Sequence, residues 1–496
     1  MKKWLSLLII CTMLLGACAC AEQNTPPEPP AGGFGAPPEG MGEPPAGLGQ
    51  PPEPPAGGMG TPPGGHTSFS GEYAALLTVS EDTELNENLT STETDENALL
   101  VTAGDVSYVG GEIVRESQDS TGGDNASFYG VGAAVLATGG TLVLKDAAIE
   151  TDAAGGAGVF SYGDATVYVY DSVIATKQNT SGGIHVAGGG RLYAENLTVT
   201  TEGGSAAAIR SDRGSGTMIV NGGSYTSSGS GSPAVYVTAD ITIRNAELTA
   251  TGSEALCLEG LNTVRLYDCT LSGDMPDQEQ NDNTWTVILY QSMSGDSQVG
   301  QGSFEMSGGT LISGNGGLFY TTNTESVFTI QNVTIEASED CDYFLRCTGN
   351  TNRRGWGSSG ANGANCVFTA IDQNMDGDVV WDSISTLDLY LTESSVLMGA
   401  VVDDESCAGD GSDGYCRLVI DESSAWIVTA DSEVTSLECA GNITDANGEY
   451  VAIVGTDGTV YQEGESDITV TVDSFTRTAD LSGANAVSAY EEHSQL

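Results

Sequence analysis

The sequence predicts an all-β chain folded as a right-handed parallel β-helix, and two observations carry that prediction. First, polar turn residues recur at intervals of 23 to 25 residues, with one longer interval of 39. Second, short strand-like segments with alternating apolar residues lie between them. A self-similar period of this length indicates stacked repeats rather than a single globular sheet. The recurring residues are Asp146, Asp171, Asn196, Asn221, Asn245, Asp268, Ser307 and Asn332.

One period contains the residues expected for one coil of a β-helix. In the segment TLVLKDAAIE, Leu142 and Leu144 alternate with polar or outward residues, Asp146 turns the chain, and Ile149 points inward again. Alternation over short segments bounded by turn residues indicates half-buried strands, so about 25 residues hold three strands and three turns. A second inward row is predicted before each main strand, at Val135, Val159, Ile184, Ile209, Val235, Leu256, Ile288 and Leu318.

The recurring Asp and Asn residues are interpreted as a ladder of corners. A single coil cannot bury its inner face, so equivalent residues must stack about 4.8 Å apart in a continuous column. Asn and Asp tolerate left-handed backbone conformations and bond to nearby backbone groups, which suits sharp corners. This structural role is favoured over ligand binding.

The chain is strongly acidic, with 15 Lys and Arg against 68 Asp and Glu and a formal net charge of −53. Such a charge argues against nucleic acid and anionic lipid headgroups as partners. A solvated extracellular surface explains it, and binding of divalent cations such as Ca²⁺ is the alternative. No other cofactor is predicted.

The first residues predict export. Lys2 and Lys3 precede a short apolar run typical of a secretory signal. The run ends in Leu15-Gly16-Ala17-Cys18, which resembles the bacterial lipobox, so Cys18 is predicted to be lipidated and to anchor the protein in the cell membrane, facing the exterior. Cleavage after Ala19-Cys20-Ala21 would instead release a secreted protein.

Composition divides the chain into five regions. Residues 1–21 form the signal region, and residues 22–66 form a Pro/Gly-rich tether in which PPEPPAGG occurs twice. Such a segment is semi-extended and has no core. Residues 67–125 are predicted to be an N-terminal cap with the first coil, 126–440 the β-helix, and 441–496 a β-rich end with a polar tail. Long insertions interrupt the coils near 273–286 and 347–366.

Eight cysteines remain beyond the signal region, and an even number in an exported chain suggests disulfides. We expect Cys407 to pair with Cys416 and Cys257 with Cys269. Zinc is the alternative, but no Cys-x-x-Cys pair or histidine cluster favours it.

Histidine is scarce, which restricts the possible chemistry. Of the three, His66 and His493 lie in the tether and tail, and His185 follows the inward Ile184 and is expected at the surface. Hydrolysis through a Ser-His-Asp or Cys-His arrangement is therefore disfavoured.

Residues 97 to 430 carry a family resemblance. The coils and the segments SPAVYVTADITIRNAEL, VILYQSMSGD and RRGWGSSGANG resemble the pectate-lyase-like right-handed β-helix proteins displayed as surface lipoproteins by Gram-positive bacteria. The resemblance implies the fold. The chain has neither the Gly-His-Gly nor the Arg-x-Lys motif of the polygalacturonase type, and it has Asp and Arg residues such as the pectate-lyase type uses for calcium and as a base.

Two surface groups are predicted to bind ligands. The first is a flank of loops whose carboxylates, guanidinium groups and indole suit sugars or calcium. The second is the outward side of the main strand, where aromatic residues mix with arginines. The first group comprises Asp164, Arg210, Asp212, Arg213, Asp240, Asp296, Asn323, Arg353, Arg354 and Trp356, and the second Tyr168, Tyr170, Tyr193, Tyr267, Phe304, Arg244 and Arg265.

These observations lead to two functional hypotheses. The first is a non-enzymatic surface lipoprotein that presents its β-helix to an extracellular glycan or a cell-surface protein. The alternative is a calcium-assisted polysaccharide lyase acting on uronate-containing glycans, with an arginine such as Arg213 as the base.

Overall fold

The computed structural model describes residues 69–491 except residue 293, and the predicted signal region, Cys18 and tether lie outside this part. Within it the chain forms a right-handed parallel β-helix, as predicted. The first coils comprise β1 (Ala75–Val79), β2 (Thr83–Leu85), β3 (Leu89–Ser91), β4 (Asn97–Val101), β5 (Asp105–Val109), β6 (Glu112–Ser117), α1 (Asp124–Tyr129), β7 (Val135–Ala137), β8 (Thr141–Lys145), β9 (Ala148–Ala153), β10 (Val159–Tyr162), β11 (Thr166–Tyr170), β12 (Val173–Thr176), β13 (Ile184–Ala187), β14 (Gly190–Thr201), β15 (Ile209–Ser211) and β16 (Gly216–Ser227).

The middle coils carry the two insertions. They comprise β17 (Val235–Val237), β18 (Asp240–Arg244), β19 (Glu247–Ala250), β20 (Leu256–Glu259), β21 (Thr263–Tyr267), β22 (Thr270–Gly273), β23 (Trp285–Tyr290), β24 (Gln301–Ser307), β25 (Thr310–Ser313), β26 (Gly317–Thr322), β27 (Glu325–Gln331), β28 (Thr334–Ala337), β29 (Leu345–Cys347), β30 (Asn365–Ile371) and β31 (Asn374–Asp376).

The last coils and the C-terminal end comprise β32 (Val379–Trp381), β33 (Thr386–Thr392), β34 (Val396–Met398), β35 (Val401–Asp403), β36 (Tyr415–Ile420), β37 (Ala425–Val428), β38 (Ser432–Cys439), β39 (Asn442–Asp445), β40 (Ala452–Gly455), β41 (Val460–Gln462) and β42 (Thr469–Thr476). A one-turn helix, Glu405–Cys407, lies between β35 and β36. The predicted β-rich end is therefore present. The region 67–125, predicted to hold a cap and one coil, contains two complete coils, β1 to β3 and β4 to β6.

Each coil contributes one strand to each of three sides. The first side, here called sheet A, is a parallel ladder of 13 strands from β1 to β35. The second side carries the main strands from β2 to β36, and the third carries the shorter strands that follow each corner. The last two sides are continuous in β14 and β16, which run through the corner without a break.

The corner between the second and third sides is built by residues with positive φ. Such a conformation is accessible mainly to Gly, Asn and Asp, which explains the recurring residue types. The prediction is correct at six positions and wrong by one residue at Asn221 and Ser307, because each precedes two glycines and the first glycine takes the corner. The ladder is Asp146, Asp171, Asn196, Gly222, Asn245, Asp268, Gly308 and Asn332, continued by Asp372.

The interior is a continuous apolar column. The predicted inward row is confirmed from Val135 to Leu256, whose residues pair directly from coil to coil. It is wrong by one residue further on, since Val287 and Phe319 occupy the register assigned to Ile288 and Leu318. Ile288 lies on the outward side of sheet A, packed beside Cys257 and Trp285.

Phenylalanine fills the interior of the middle coils. Phe304 was predicted to face outward, but it is fully buried in the column between Val264 and Phe328. Its ring lies 5.9 Å from that of Phe319, and further phenylalanines stack at similar distances. Aromatic rings fill the core of these coils, where Val, Ile and Leu fill it in the earlier ones.

The third side changes shape after β28. Twelve residues separate the corner Asn332 from Leu345 in sheet A, but only six separate the next corner, Asp372, from Val379. The chain after Asp372 is too short to run alongside the longer segment after Asn332. As a result, β28 pairs with β25 only, and β31 starts a separate four-stranded sheet with β34, β37 and β39. The result is a notch in the wall of the β-helix.

The C-terminal segment 480–490, here called the strap, runs back across the outer face of the second side. The Asn485 N–H donates to Thr369 at 3.0 Å, and the Ser488 backbone N–H and hydroxyl donate to Glu305 at 2.8 and 2.9 Å. The Tyr490 ring packs on Tyr267 with centroids 5.3 Å apart. The strap therefore touches several coils that are far apart in sequence.

The predicted disulfides are absent, since all eight cysteines of the described residues are free thiols. The sheet separates the members of each predicted pair. Cys416 and Cys269 point into the core, whereas Cys407 lies in an outer turn and Cys257 faces outward. Burial raises the pKa of Cys269 to about 11, which keeps this thiol protonated.

No helix among the described residues is long and apolar enough to span a membrane.

Candidate functional site

A cleft of about 330 Å³ lies on the outward face of sheet A beside α1. Its floor comes from β15 and β17 and one wall from α1. Volumes of this size suit a small ligand or one unit of a polymer. The cleft is lined by Asp124, Ser127, Phe128, Thr180, Ser205, Arg210, Asp212, Pro233, Tyr236 and Asp296, among others.

The floor of the cleft holds a buried ion pair. The Arg210 guanidinium donates from Nε to Oδ2 of Asp212 at 2.7 Å and from Nη2 to the Ser127 hydroxyl of α1 at 3.0 Å. Both residues were predicted to lie in an exposed loop, but Arg210 is 8% and Asp212 3% exposed. Burial by itself raises the pKa of Asp212, but Arg210 and His185 hold it below its usual range. Asp212 is therefore ionised at neutral pH.

His185 belongs to the same group, and its predicted surface position is wrong. The residue does point away from the β-helix interior, but it is fully buried there, with its ring 4.1 Å from that of Phe160. Nε2 lies 2.9 Å from Oδ2 of Asp212, close in distance but poorly aligned for a hydrogen bond. Burial, with a smaller contribution from the charge of Arg210, lowers the pKa of His185 to about 4, although Asp212 acts in the opposite direction. The ring is neutral at pH 7.

We expect this histidine to make the protein acid-sensitive. Because the folded-state pKa lies below the ordinary 6.5, the unfolded chain binds the proton more readily, so stability is full above pH 6.5 and is lost as the pH falls toward 4. Unfolding free energies at pH 7.5 and 4.5 should show that the native chain loses roughly 2 to 3 kcal/mol more than His185→Gln, whose side chain does not titrate. Equal losses in the two proteins would contradict a neutral buried ring.

At the edge of the cleft, Arg213 forms an ion pair with Asp296. Its Nη2 donates to Oδ1 of Asp296 at 2.7 Å, and its guanidinium carbon lies 4.1 Å from the centre of the Phe128 ring. Both side chains are about one-quarter to one-third exposed. The charge of Arg213 is thus paired with a carboxylate, and its guanidinium lies on an aromatic face, while its Nε has no hydrogen-bond partner.

A buried carboxyl, Glu259, connects the cleft to the insertions, and the sequence reasoning missed it. The hydroxyls of Tyr236, Tyr290 and Ser292 all donate to it, the first two at 3.0 and 3.2 Å. Burial raises its pKa, and the hydrogen bonds from Ser292 and Tyr236 oppose that shift. Glu259 is only 1% exposed, and its hydrogen bonds hold these three side chains in position.

The two insertions pack against each other on the same face. Arg354 donates from Nε to Asn281 at 2.6 Å, and Arg353 contacts Asp282 and the Glu279 carbonyl. The Trp356 ring lies 4.4 Å from Tyr290, with the Arg354 guanidinium 5.3 Å from its centre. The cleft residues and the Trp356 group are therefore joined through Tyr236, Glu259 and Tyr290.

Other predicted residues lie elsewhere. Asp240 forms an ion pair with Arg265 at 2.7 Å and lines a second cleft, of about 350 Å³, between the second side and the strap. Tyr267 is covered by the strap, and burial raises its pKa to about 12. Asn323 donates to the Gln291 carbonyl at 2.8 Å. Exposed Asp164 lines none of these clefts.

Tyr168 and Tyr193 stack on neighbouring coils with ring centroids 4.9 Å apart, as the predicted aromatic row requires. Tyr170 lies 6.4 Å from Tyr168 on the same strand. This aromatic row continues the face that the strap covers further along.

No group of three or more His, Cys, Asp or Glu side chains in the described part of the chain is arranged to hold a metal ion.

One feature of the sequence indicates the helix α1, which forms a wall of the cleft. The segment DNASFY is bounded by Gly123 and Gly130, and Gly130 ends the helix in a left-handed conformation. Nothing in the sequence indicates that this helix packs against Arg210 and Arg213. Comparison of the chain with protein-family models, with curated proteins and with solved structures finds no match.

Proposed function

We propose that the protein is a non-enzymatic carbohydrate-binding protein whose cleft on sheet A takes a neutral, hydroxyl-rich sugar unit. The pairing of each guanidinium group with a carboxylate supports this most directly. Arg210 is bound by Asp212, and Arg213 by Asp296 and Phe128. The cleft therefore offers paired charges, hydroxyls and an aromatic wall, which suit sugar hydroxyls and an apolar sugar face.

A neutral ligand differs from the sequence-based expectation, in which free arginines would bind an acidic glycan. Asp124, Asp212 and Asp296 outnumber the two arginines around the cleft, so a uronate or sulfate would meet excess negative charge. The lyase alternative receives less support, because the Arg213 guanidinium, its proposed base, is already engaged by the Asp296 carboxylate and the Phe128 ring.

Presentation at a cell surface, with adhesion to a glycan on another surface, follows from the export signal and Cys18 lipobox of the sequence. The lipid anchor, the tether and the resemblance to pectate-lyase-like surface lipoproteins stay predictions.

A glycan array with neutral and acidic members tests the proposal. We expect neutral glycans to bind, and Asp296→Ala to weaken them about tenfold or more, the effect of one lost hydrogen bond to a charged group. Asp164→Ala is the matched control, since the same change is made at an exposed loop outside the cleft. Binding confined to uronate glycans, together with release of an unsaturated product absorbing in the ultraviolet, would favour the lyase instead.

A further inference from the structure

The notch on the third side leaves two strand edges without partners. β28 pairs on one side with β25, and β31 pairs on one side with β34. Elsewhere along this side, strands such as β25 and β34 are hydrogen-bonded on both edges. The free edges face a cleft of about 940 Å³ that they line together.

The backbone groups that face this cleft can be assigned from their neighbours. Thr334 and Ser338 donate their N–H groups to Gly309 and Ser313 of the preceding coil. Because N–H directions alternate along a strand, those of Ile335 and Ala337 point the other way, into the notch. Val333, two residues earlier, confirms the direction, since its N–H and C=O bond to the side chain of Gln373 at 2.8 Å each. Gln373 thus closes one end of the notch, and beyond it the edge is open.

The floor of the notch is apolar. Ile335 stands in the interior column opposite Leu311, yet it is only partly buried, because β31 does not cover it as the next strand covers its counterparts. Met375, Val396, Met398 and Ile427 complete the floor. An unpaired backbone edge above an apolar floor is the arrangement that accepts an added strand.

The rim of the notch determines which strand fits. Glu336, Glu339, Asp372 and Asp376 line it, and no Lys, Arg or His does. All four are exposed. A strand with alternating residues would place apolar side chains on the floor and basic ones toward this rim.

The chain's own segments do not fit. Residues 22–66 contain five glutamates and no Lys or Arg, and they carry most of the chain's 16 prolines, which lack the N–H that pairing requires. A second copy carries the same net charge of −53 and would be repelled.

We propose that the notch between β28 and β31 is an acceptor for an extended peptide strand from a separate protein, with apolar residues alternating with Lys or Arg. The four residues of β28 span about 13 Å, so the strand needs only four or five residues in the notch. This site is independent of the sugar cleft on sheet A.

The test uses the full chain and a fluorescein-labelled octapeptide of alternating lysine and valine, followed by fluorescence anisotropy at physiological salt. We expect binding, and a loss of about tenfold or more when two valine amides are N-methylated, which removes backbone donors but keeps the charge. Ala337→Pro should weaken the unmodified peptide similarly, because proline deletes the N–H that faces the notch. Ala337→Val is the matched control and should bind as the native chain does.

Charge alone could attract a basic peptide to so acidic a protein, and the N-methylated peptide separates the two explanations without altering the protein. Equal binding of the methylated and unmethylated peptides would overturn the proposal. So would equal binding by Ala337→Pro with a native circular dichroism spectrum. Glu336→Lys combined with Asp376→Lys should weaken the unmodified peptide by a further measurable factor, and no change would contradict the charge argument.

Discussion

Replacing Ile174 with Asn is expected to destabilise the protein by roughly 3 to 6 kcal/mol, the largest effect anticipated for a single substitution. Ile174 is fully buried in the interior column, between Ile149 and Val199 of the adjoining coils. Removing a buried aliphatic side chain costs about 2 to 5 kcal/mol, and an amide without partners adds about 1 to 3 kcal/mol.

The adjacent residue supplies the control. Val173 is 53% exposed on the same strand, so Val173→Asn introduces the same side chain at the outer surface. We expect a change of about 1 kcal/mol or less, the range of strand propensities. Urea unfolding followed by circular dichroism compares the two, and similar midpoints would show that the interior register is misassigned.

Asp212→Asn should cost about 3 to 5 kcal/mol, because it leaves the buried Arg210 guanidinium without its counterion. The substitution keeps the shape of the side chain and one acceptor oxygen, while it removes the charge and replaces the other oxygen with an NH2 group. Arg210 retains the Ser127 hydroxyl as a partner, but a hydroxyl does not neutralise it. Thermal unfolding at pH 7 measures the effect, with Asp164→Asn at an exposed position as the control.

A double substitution measures the energetic coupling between Asp212 and Arg210. If the ion pair is the cause, Arg210→Met in the Asp212→Asn background should recover part of the lost stability, since no uncompensated charge remains. Additive losses from the two substitutions would mean that Asp212 acts through something other than Arg210.

The fold could be predicted because every coil of a β-helix imposes the same requirements on the sequence. The corner demands residues that tolerate positive φ, and the interior demands alternating apolar residues, so both recur about every 25 positions. The errors occur where two residues satisfy the same demand. At Asn221-Gly222 and Ser307-Gly308 either residue could form the corner, and glycine does so at lower steric cost. The register at Ile288 is ambiguous because the strand from Trp285 to Tyr290 is buried on both faces and its last four residues are all apolar or aromatic.

The candidate site could be predicted only in part. Arg210, Asp212, Arg213 and Asp296 were chosen as one group because equivalent loops stack, and the structure brings them to one cleft. Their burial could not be foreseen, because it depends on α1 folding over sheet A from outside the repeat. His185 is covered as well, and Phe160 packs on its ring. The period of the sequence predicts which side chains the interior buries. It does not predict which segments outside the repeat, such as α1, cover the outer face.

The strap has a consequence for how the molecule unfolds. In a stacked solenoid each coil touches only its neighbours, so the stack behaves as a one-dimensional chain in which a middle segment can melt while the ends stay folded. The strap bonds through Ser488 to Glu305 and through Asn485 to Thr369, and so joins coils that otherwise share no contact. Opening any coil beneath it requires that these bonds be released as well. The strap therefore turns a row of weakly linked coils into one that must open together.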